Sequence, residues 1–347
     1  MSAVEDRPTT ETSVLSPLAE TVTAGTESHA QRDPRILRFV SRFGLIAVLI
    51  LIIAAFGILK QDAFLSVANL KSTAVIAAPL LVLSAGLTVP LSMGEFDLSI
   101  ANSSQLSAAV LMTFISVHSI NWLGSLGITV VGAALVGGLI GFVVVRSGVN
   151  AFIITLGAGT VMAGIEFAVA NGATIFANVP KSYTRLGTHE IIGIPIPVVI
   201  SVAFAVVVYL IMDRTVAGRR MRAIGGNAEA ARLSGVRVGQ LRAVGFVSTA
   251  VAGALAALLI TAQASSYFPN AVSAQLLPAY AACFLGTTVF RSNIFDIGGT
   301  IIGVAFLSIV QDGLIIAGVP SWTAQVVEGA LLIVAVVGSK IASRSLA

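Results

Sequence analysis

The chain has 347 residues, of which 56% are hydrophobic and only 10% are charged, and its formal net charge is +4. A soluble domain carries roughly 25% charged residues, so the composition excludes a soluble globular protein and predicts an all-α polytopic membrane protein. The single Cys283 and three scattered histidines predict neither a disulfide framework nor a metal site. The basic residues flank apolar segments without interleaved aromatic residues, so they indicate membrane topology and no nucleic-acid partner.

The N-terminal segment is polar. Residues 1–35 are rich in Thr, Ser, Glu and Ala and lack the basic-then-apolar order of a signal peptide, so we expect a disordered tail. The first apolar segment directly follows four arginines, Arg32, Arg35, Arg38 and Arg42. Because positive charge collects on the cytoplasmic side, we expect a cytoplasmic N-terminus, a transmembrane domain over 36–340 and a cytoplasmic C-terminal tail over 341–347.

Ten apolar segments follow, each long enough for a hydrocarbon layer of roughly 30 Å at about 1.5 Å per helical residue. They cover residues 43–59, 72–93, 98–117, 122–145, 151–170, 196–212, 243–264, 275–290, 294–316 and 322–338. With an even number of spans, every basic cluster falls on the cytoplasmic side. Spans two to five and seven to ten start on opposite sides, which is the layout of an inverted repeat.

The longest strongly basic stretch separates the sixth and seventh spans, over residues 214–242. Within it Asn227 is a good helix N-cap, Glu229 favours the first turn, and Gly235 is a good helix stop. The pattern predicts a helix of about two turns over 227–234. So short a helix is marginal alone in water and needs a surface to dock against.

Small residues define one face of this predicted helix. Helical spacing gives a face of Ala228, Ala230, Ala231 and Ser234, with Glu229 and Arg232 on the other side. A small, smooth face suits insertion into a groove on a partner protein. The alternative is a solvated basic loop that only fixes the orientation of the chain in the membrane.

A second distinctive stretch places Glu95 and Asp97 between two apolar spans, directly after Gly94. Ionisable groups at membrane depth are costly and usually face a cavity or a partner. One interpretation is a broken helix that lines a polar path, with hydrogen-bonding groups from Glu95, Asp97, Ser99 and Asn102. The other is a short loop in which Asp97 caps the next helix, and the two roles are compatible.

Further polar and aromatic residues lie in or beside the spans. Asn150 opens the fifth span, where a helix cap is its simplest role, and Asn150 and Thr155 are also candidates for the path. Glu166 is the deepest carboxylate by position, and structural pairing is its simplest role. Tyr267 and Trp322 fall at predicted span ends and are typical of an interfacial aromatic belt. The sequence contains no nucleotide-binding loop and no HExxH or GxSxG motif.

Four stretches resemble a known family. They are Gly94-Glu-Phe-Asp-Leu-Ser, Ala151-Phe-Ile-Ile-Thr-Leu-Gly, Ala223-Ile-Gly-Gly-Asn-Ala-Glu-Ala-Ala-Arg-Leu-Ser-Gly, and residues 286–313. In this order they resemble the permease subunits of bacterial ATP-binding-cassette importers for ribose, xylose and related sugars, over about residues 40–340. The sequence departs from that family at Glu95, where a glycine is usual, and at Asp312, where an asparagine is common.

The resemblance implies a homodimer in the bacterial cell membrane that binds a cytoplasmic ATPase and receives a monosaccharide from an extracytoplasmic binding protein. It implies no cofactor in this chain, because the ATPase would bind ATP and Mg²⁺. The short helix at 227–234 then resembles the coupling segment that sits in a groove of the ATPase. That role would fall on Gly225, Gly226, Asn227, Glu229, Ala230, Ala231, Arg232 and Gly235.

Other hypotheses remain open from the sequence. An ion-coupled secondary transporter would use Glu95, Asp97 or Glu166 as its coupling site. A permease for branched-chain amino acids is a neighbouring possibility, although the Ala223–Gly235 run favours the sugar importers. An intramembrane enzyme is disfavoured, because the sequence has no catalytic motif.

Overall fold

The computed structural model describes residues 34–289 and 294–344. The N-terminal tail up to residue 33, Arg291 and the last three residues of the predicted C-terminal tail lie outside the described residues. The described chain forms fourteen α-helices and one two-stranded antiparallel hairpin. They are α1 (Pro34–Leu59), α2 (Gln61–Phe64), α3 (Val67–Leu91), α4 (Ile100–Met112), α5 (Trp122–Ser147), α6 (Ala151–Ala170), α7 (Lys181–Thr188), β1 (Glu190–Ile191), β2 (Ile194–Pro195), α8 (Ile196–Tyr209), α9 (Val216–Gly226), α10 (Ala228–Leu233), α11 (Val238–Ala264), α12 (Leu276–Gly286), α13 (Ile297–Ile316) and α14 (Ser321–Arg344).

The predicted class, an all-α polytopic membrane protein, is confirmed. Seven helices are long and apolar enough to cross a membrane: α3, α5, α6, α11, α13, and α4 and α8 together with the π-helical turns that continue them. Shorter apolar stretches of α1 and α14 cover Gly44–Leu59 and Trp322–Val334. Each of the ten predicted spans therefore coincides with a helix.

The eighth predicted span, 275–290, is helical over a shorter stretch than predicted. The helix found there, α12, has only 11 residues, so it is about 16 Å long at roughly 1.5 Å per residue. It ends where Thr287 and Thr288 turn their hydroxyl groups back onto the carbonyl oxygens of Phe284 and Leu285, both at 2.7 Å. Apolar composition marked the segment as membrane-embedded but carried no information on how much of it is helical.

Helix α11 lies at the centre of the bundle, against α3, α4 and α5. It runs antiparallel to α3, because Gly86 lies beside Ala252 whereas Pro90 lies beside Gly245. It runs parallel to α4, because Ser104 donates a hydrogen bond to the Gly253 carbonyl oxygen at 2.7 Å while residues further along each helix pack together. These relative directions are the ones that alternating spans require.

The helix contacts repeat between the two halves of the chain. Helix α11 packs on α4 and α5 as α3 packs on α12 and α13, and α4 contacts α6 as α12 contacts α14. Each of these contacts has a counterpart when α3–α6 take the places of α11–α14. This correspondence is expected of an inverted repeat. The pairing also equates two irregular segments, residues 92–99 before α4 and residues 265–275 before α12.

Small residues allow the central helices to approach closely. A Cβ atom on Gly137 of α5 would lie 2.6 Å from the Phe246 carbonyl oxygen and 2.7 Å from the Ala250 Cβ atom of α11. Gly286 and Gly299 meet in the same way, since a Cβ on Gly286 would lie 2.5 Å from the Gly299 carbonyl carbon. Helices in lipid associate through such tight packing, because lipid chains are as apolar as the side chains and the hydrophobic effect does not drive helices together.

The bundle has two ends, which we call the basic end and the opposite end. The basic end contains residues 92–99, 146–150 and 214–242, joined by contacts such as the ion pair between Glu95 and Arg242. The opposite end contains residues 116–121, 171–195 and 265–275, joined by the β-bridge between Ile175 and Tyr267 and by the Ser116 hydroxyl group on the Ala177 carbonyl oxygen.

We expect Gly137→Ala to destabilise the folded chain by about 1–3 kcal/mol, because the added methyl group overpacks the contact with α11. Gly127→Ala on the same helix is the matched control, since open space surrounds Gly127 and alanine favours a helix over glycine by about 0.5–1 kcal/mol. Thermal unfolding in detergent measures both. A Gly137→Ala melting temperature equal to that of Gly127→Ala would contradict the close contact.

Candidate functional site

The basic end presents α10, a helix of six residues between two capping residues. The Asn227 side-chain oxygen accepts from the backbone N–H groups of Glu229 and Ala230, both at 3.0 Å. At the other end Gly235 has φ +81°, and Val236 N–H donates to the Ala231 carbonyl oxygen at 3.0 Å. These are an N-cap and a Schellman C-cap, so the predicted cap and stop are confirmed.

The small residues that were predicted to form one face of α10 do not all face the same way. Ala231 is only 6% exposed and packs, with the partly buried Ala228, against the core of its own chain. Ala230 and Ser234 are exposed. The spacing of 228 and 231 turns both side chains inward, so Ala231 anchors the helix and does not belong to a free surface.

The exposed side of α10 carries a residue that the sequence analysis did not single out. Leu233 is 82% exposed, next to Arg232 and Glu229, whose charged groups lie 3.5 Å apart with both side chains about two-thirds exposed. We call residues 225–235 the coupling segment, after the role that the family resemblance implies for them.

The two glycines that precede α10 have different surroundings. A Cβ atom on Gly225 would lie 2.1 Å from the Ser92 carbonyl oxygen, so α9 touches the backbone where α3 ends. Around Gly226 nothing lies within 4 Å. Gly225 therefore serves packing within the chain, whereas Gly226 is open to a partner.

Helix α9 fixes the coupling segment to the bundle. Its Met221 and Ile224 side chains are buried in a cluster with Val89 and Met93 of the α3 end. Arg222 adds an ion pair with Asp213 at 2.7 Å, in which both side chains are largely buried. A displacement of the coupling segment would therefore act directly on residues 92–99.

Residues 92–99 form a break between α3 and α4, which both interpretations of this stretch require. Gly94 has φ +80°, and the N–H groups of Gly94 and Glu95 return to the carbonyl oxygens of Leu91 and Pro90, both at 3.0 Å. Further on, Leu98 N–H donates to the Thr155 hydroxyl oxygen of α6 at 3.1 Å. Buried backbone outside a helix requires such internal partners.

Asp97 is the buried centre of this break, with 2% of its surface exposed. It accepts hydrogen bonds from the Ser99 N–H at 3.0 Å, from the Ser99 hydroxyl group at 2.5 Å, and from the Thr249 hydroxyl group of α11. The bond to Ser99 N–H forms a turn just before α4. Asp97 therefore orders the start of α4 and also joins it to α11.

The other predicted path residues divide into two groups. Asn102 lies against Gly159 of α6, and Thr155 is fully buried beside Leu98 and Phe96, so both lie near Asp97. Asn150 does not, because it is exposed and caps α6 by accepting from Phe152 N–H at 2.9 Å.

Glu95 is also separate from the group around Asp97. It is 5% exposed and forms an ion pair with Arg242 at the start of α11. Glu95 stands where the family usually has a glycine. Its carboxylate thus attaches residues 92–99 to the residues that follow the coupling segment.

Aromatic rings lie beside the break and were missed from the sequence. Phe96 is 40% exposed and stacks on Tyr280 and Phe284 of α12, with ring centroids 6.2 and 6.4 Å apart. Phe284 meets Phe295 edge-on at 5.2 Å. No local pattern marks these partners, since about 190 residues separate Phe96 from the rings of α12.

Residues 69–336 match the family model described as the permease component of the branched-chain amino acid transport system. The chain belongs to this permease family. Taken with its apolar helices, this makes it a multi-pass protein of the bacterial inner membrane. No solved structure matches the chain.

Curated relatives of the permease carry sugar names. It is 29% identical to the ribose import permease protein RbsC of Haemophilus influenzae, over 87% of this chain and 94% of the relative. It is 27% identical to the L-arabinose permease protein AraH of Azospirillum brasilense (87% and 88% covered) and 28% identical to the D-allose permease protein AlsC of Escherichia coli (88% and 94%). The resemblance to permeases of sugar importers is confirmed.

The second break of the permease, residues 265–275, is held by side chains of α4 and α6. Gln105 accepts from Val272 N–H at 2.9 Å and donates to the Phe268 carbonyl oxygen at 3.1 Å. The buried Glu166 accepts from the Tyr267 hydroxyl group and from Gln105. Glu166 therefore has the structural pairing that was its simplest role.

Tyr267 is 1% exposed, so its predicted place in an interfacial aromatic belt is wrong. Its hydroxyl group needs an acceptor inside the protein, and it donates to the buried Glu166 carboxylate. Within residues 34–289 and 294–344, no group of three or more His, Cys, Asp or Glu side chains is placed to hold a metal ion.

We expect Tyr267→Phe to lower the thermal stability of the permease by about 1–3 kcal/mol, because Glu166 loses its hydroxyl donor in a buried site. Tyr209→Phe is the control, since Tyr209 is only partly buried and its ring still packs under the Arg214 guanidinium group. Melting curves of the two variants in one detergent make the comparison. Equal melting temperatures would show that the Tyr267–Glu166 bond contributes nothing to stability.

Proposed function

We propose that the permease forms the membrane path of an ATP-binding-cassette importer for a monosaccharide. The support for a sugar is that relatives named for ribose, arabinose and allose align over 84–88% of this chain. The family description names branched-chain amino acids, but the relatives above carry sugar names throughout. A separate extracytoplasmic binding protein delivers the sugar to the opposite end of the bundle.

One contact carries the coupling part of this proposal, namely that of Gly225 with the Ser92 backbone. A cytoplasmic ATPase binds the exposed side of the coupling segment, through Gly226, Glu229 and Leu233. When the ATPase subunits close, they push α9 and α10 as one body. The push reaches residues 92–99 through Gly225 and through the buried Met221 and Ile224.

The path runs beside Asp97 in this proposal. The buried Asp97 carboxylate and the hydroxyl groups of Ser99 and Thr249 converge there and hold the wall of the path in place. Phe96 adds a partly exposed ring beside them, as in ligand sites that combine apolar walls with a few polar groups. Two permease subunits pair as a homodimer, with the path between them and both termini in the cytoplasm, and rocking of the repeats gives alternating access.

An ion-coupled transporter is less well supported. A coupling carboxylate must exchange its ion during transport, yet Glu95 is neutralised by Arg242, and Asp97 and Glu166 accept hydrogen bonds from fixed hydroxyl groups. The capped, exposed coupling segment has no use in such a transporter. The partner ATPase accounts for it directly.

We expect Gly226→Arg and Glu229→Arg to abolish uptake while the protein remains in the membrane. Both positions are exposed on the coupling segment, so a new arginine obstructs the ATPase without disturbing the bundle. A thermal-shift screen of the binding protein against pentoses, hexoses and polyols first identifies the sugar. Uptake of the labelled sugar and co-purification of the ATPase are then measured.

The control for these variants is Ser147→Arg, which adds the same side chain at the basic end but outside the coupling segment. It should leave uptake close to wild type. Full uptake by Gly226→Arg and Glu229→Arg would exclude a coupling role for this segment.

We expect Asp97→Ala to reduce uptake strongly without loss of the ATPase. The substitution removes the acceptor for Ser99 and Thr249 at the centre of the break, whereas the coupling segment lies on the far side of Ser92. ATPase co-purification and membrane content are measured beside uptake. If the ATPase no longer co-purifies, Asp97 maintains the fold and its place in the path is wrong.

A further inference from the structure

A cleft of about 590 Å³ opens at the basic end, between the last turn of α5 and the first turn of α11. Four arginines line it, Arg146, Arg232, Arg237 and Arg242. Apolar side chains of α5, Phe142 and Val145, form the wall on the membrane side. Neither the importer function nor the coupling segment requires such a combination of charge and apolar surface.

The positive charge in the cleft is only partly compensated. Glu95 pairs with Arg242, and Glu229 lies 3.5 Å from Arg232. In the part of the chain that the structure describes, no carboxylate forms an ion pair with Arg146 or Arg237. Helix α11 also begins here without a side-chain cap, so its first N–H groups add to the positive potential. The cleft therefore favours an anion between Arg146 and Arg237.

The apolar wall indicates what kind of anion fits. Phe142 is 62% and Val145 is 39% exposed, and both belong to the membrane-spanning helix α5 within its last two turns. At this level of a spanning helix, acyl chains give way to headgroups. A free phosphate would leave the apolar wall without a partner, whereas a lipid would cover the wall and supply the phosphate.

We propose that this cleft binds an anionic phospholipid, with its phosphate between Arg146 and Arg237 and an acyl chain along Phe142 and Val145. Basic pockets between helices on the cytoplasmic side are known to select anionic headgroups. The lipid bridges the end of α5 and the residues between the coupling segment and α11. The proposal needs only the membrane location of the chain and does not depend on the sugar or the ATPase.

The test uses the full-length chain in nanodiscs of phosphatidylcholine with increasing phosphatidylglycerol, and measures retained phosphatidylglycerol by native mass spectrometry. At about 1 kcal/mol, or roughly fivefold, per arginine, R146Q/R237Q should bind phosphatidylglycerol about 25-fold more weakly than wild type. R219Q/R220Q removes two exposed arginines of α9 outside the cleft and should change the affinity by less than about twofold. R146K/R237K should retain most of the binding.

Three results would overturn the proposal. Equal losses in R146Q/R237Q and R219Q/R220Q would mean that only overall charge attracts the lipid. Equal retention of phosphatidylcholine and phosphatidylglycerol would exclude selection of an anion. Displacement of the lipid by millimolar inorganic phosphate would assign the cleft to a free anion.

A second measurement covers the case in which R146Q/R237Q does not fold. Wild-type protein is irradiated with phosphatidylglycerol that carries a photoreactive group in its acyl chain, and the labelled peptides are mapped. Labelling concentrated at residues 142–146 and 236–243 supports the site. Labelling spread evenly over the lipid-facing helices overturns it.

Discussion

The backbone between α3 and α4 must find its hydrogen-bond partners inside the protein, because most of residues 92–99 are buried and a buried N–H or C=O group without a partner is costly. Residues 92–99 meet this constraint with three sets of acceptors. The end of α3 accepts from Gly94 and Glu95, Thr155 of α6 accepts from Leu98, and the Asp97 carboxylate accepts from Ser99. The packing of α4, α6 and α11 around the break follows from these bonds.

The same constraint applies at the second break, which occupies the corresponding place in the other half of the chain. There Gln105 and Glu166 supply the partners that residues 267–272 need. Polar side chains of α6 support both breaks, Thr155 toward the basic end and Glu166 toward the opposite end. A movement of α4 relative to α11 would disturb both breaks at once, which suits a path that opens at one end at a time.

Residues 92–99 are also the place where the basic end meets the membrane-embedded helices. Gly225 contacts Ser92 from the side of the coupling segment, and Arg242 binds Glu95 from the side of α11. Residues that precede α10 and residues that follow α10 therefore both contact the break. This arrangement links the short helix to the break that contains Asp97 through backbone packing and an ion pair.

The sequence by itself determined the features that depend on neighbouring residues: apolar segments at ten places, the caps Asn150, Asn227 and Gly235, and the break after Gly94. Only the tertiary structure decided which side chains meet, such as Glu95 with Arg242, Asp97 with Thr249 and Tyr267 with Glu166, because the partners are 101 to 152 residues apart. It also decided that α12 ends at Gly286 and that Ala231 turns inward. The local sequence shows that a side chain is polar or small. Its partner depends on which helices pack together, and that is not a local property.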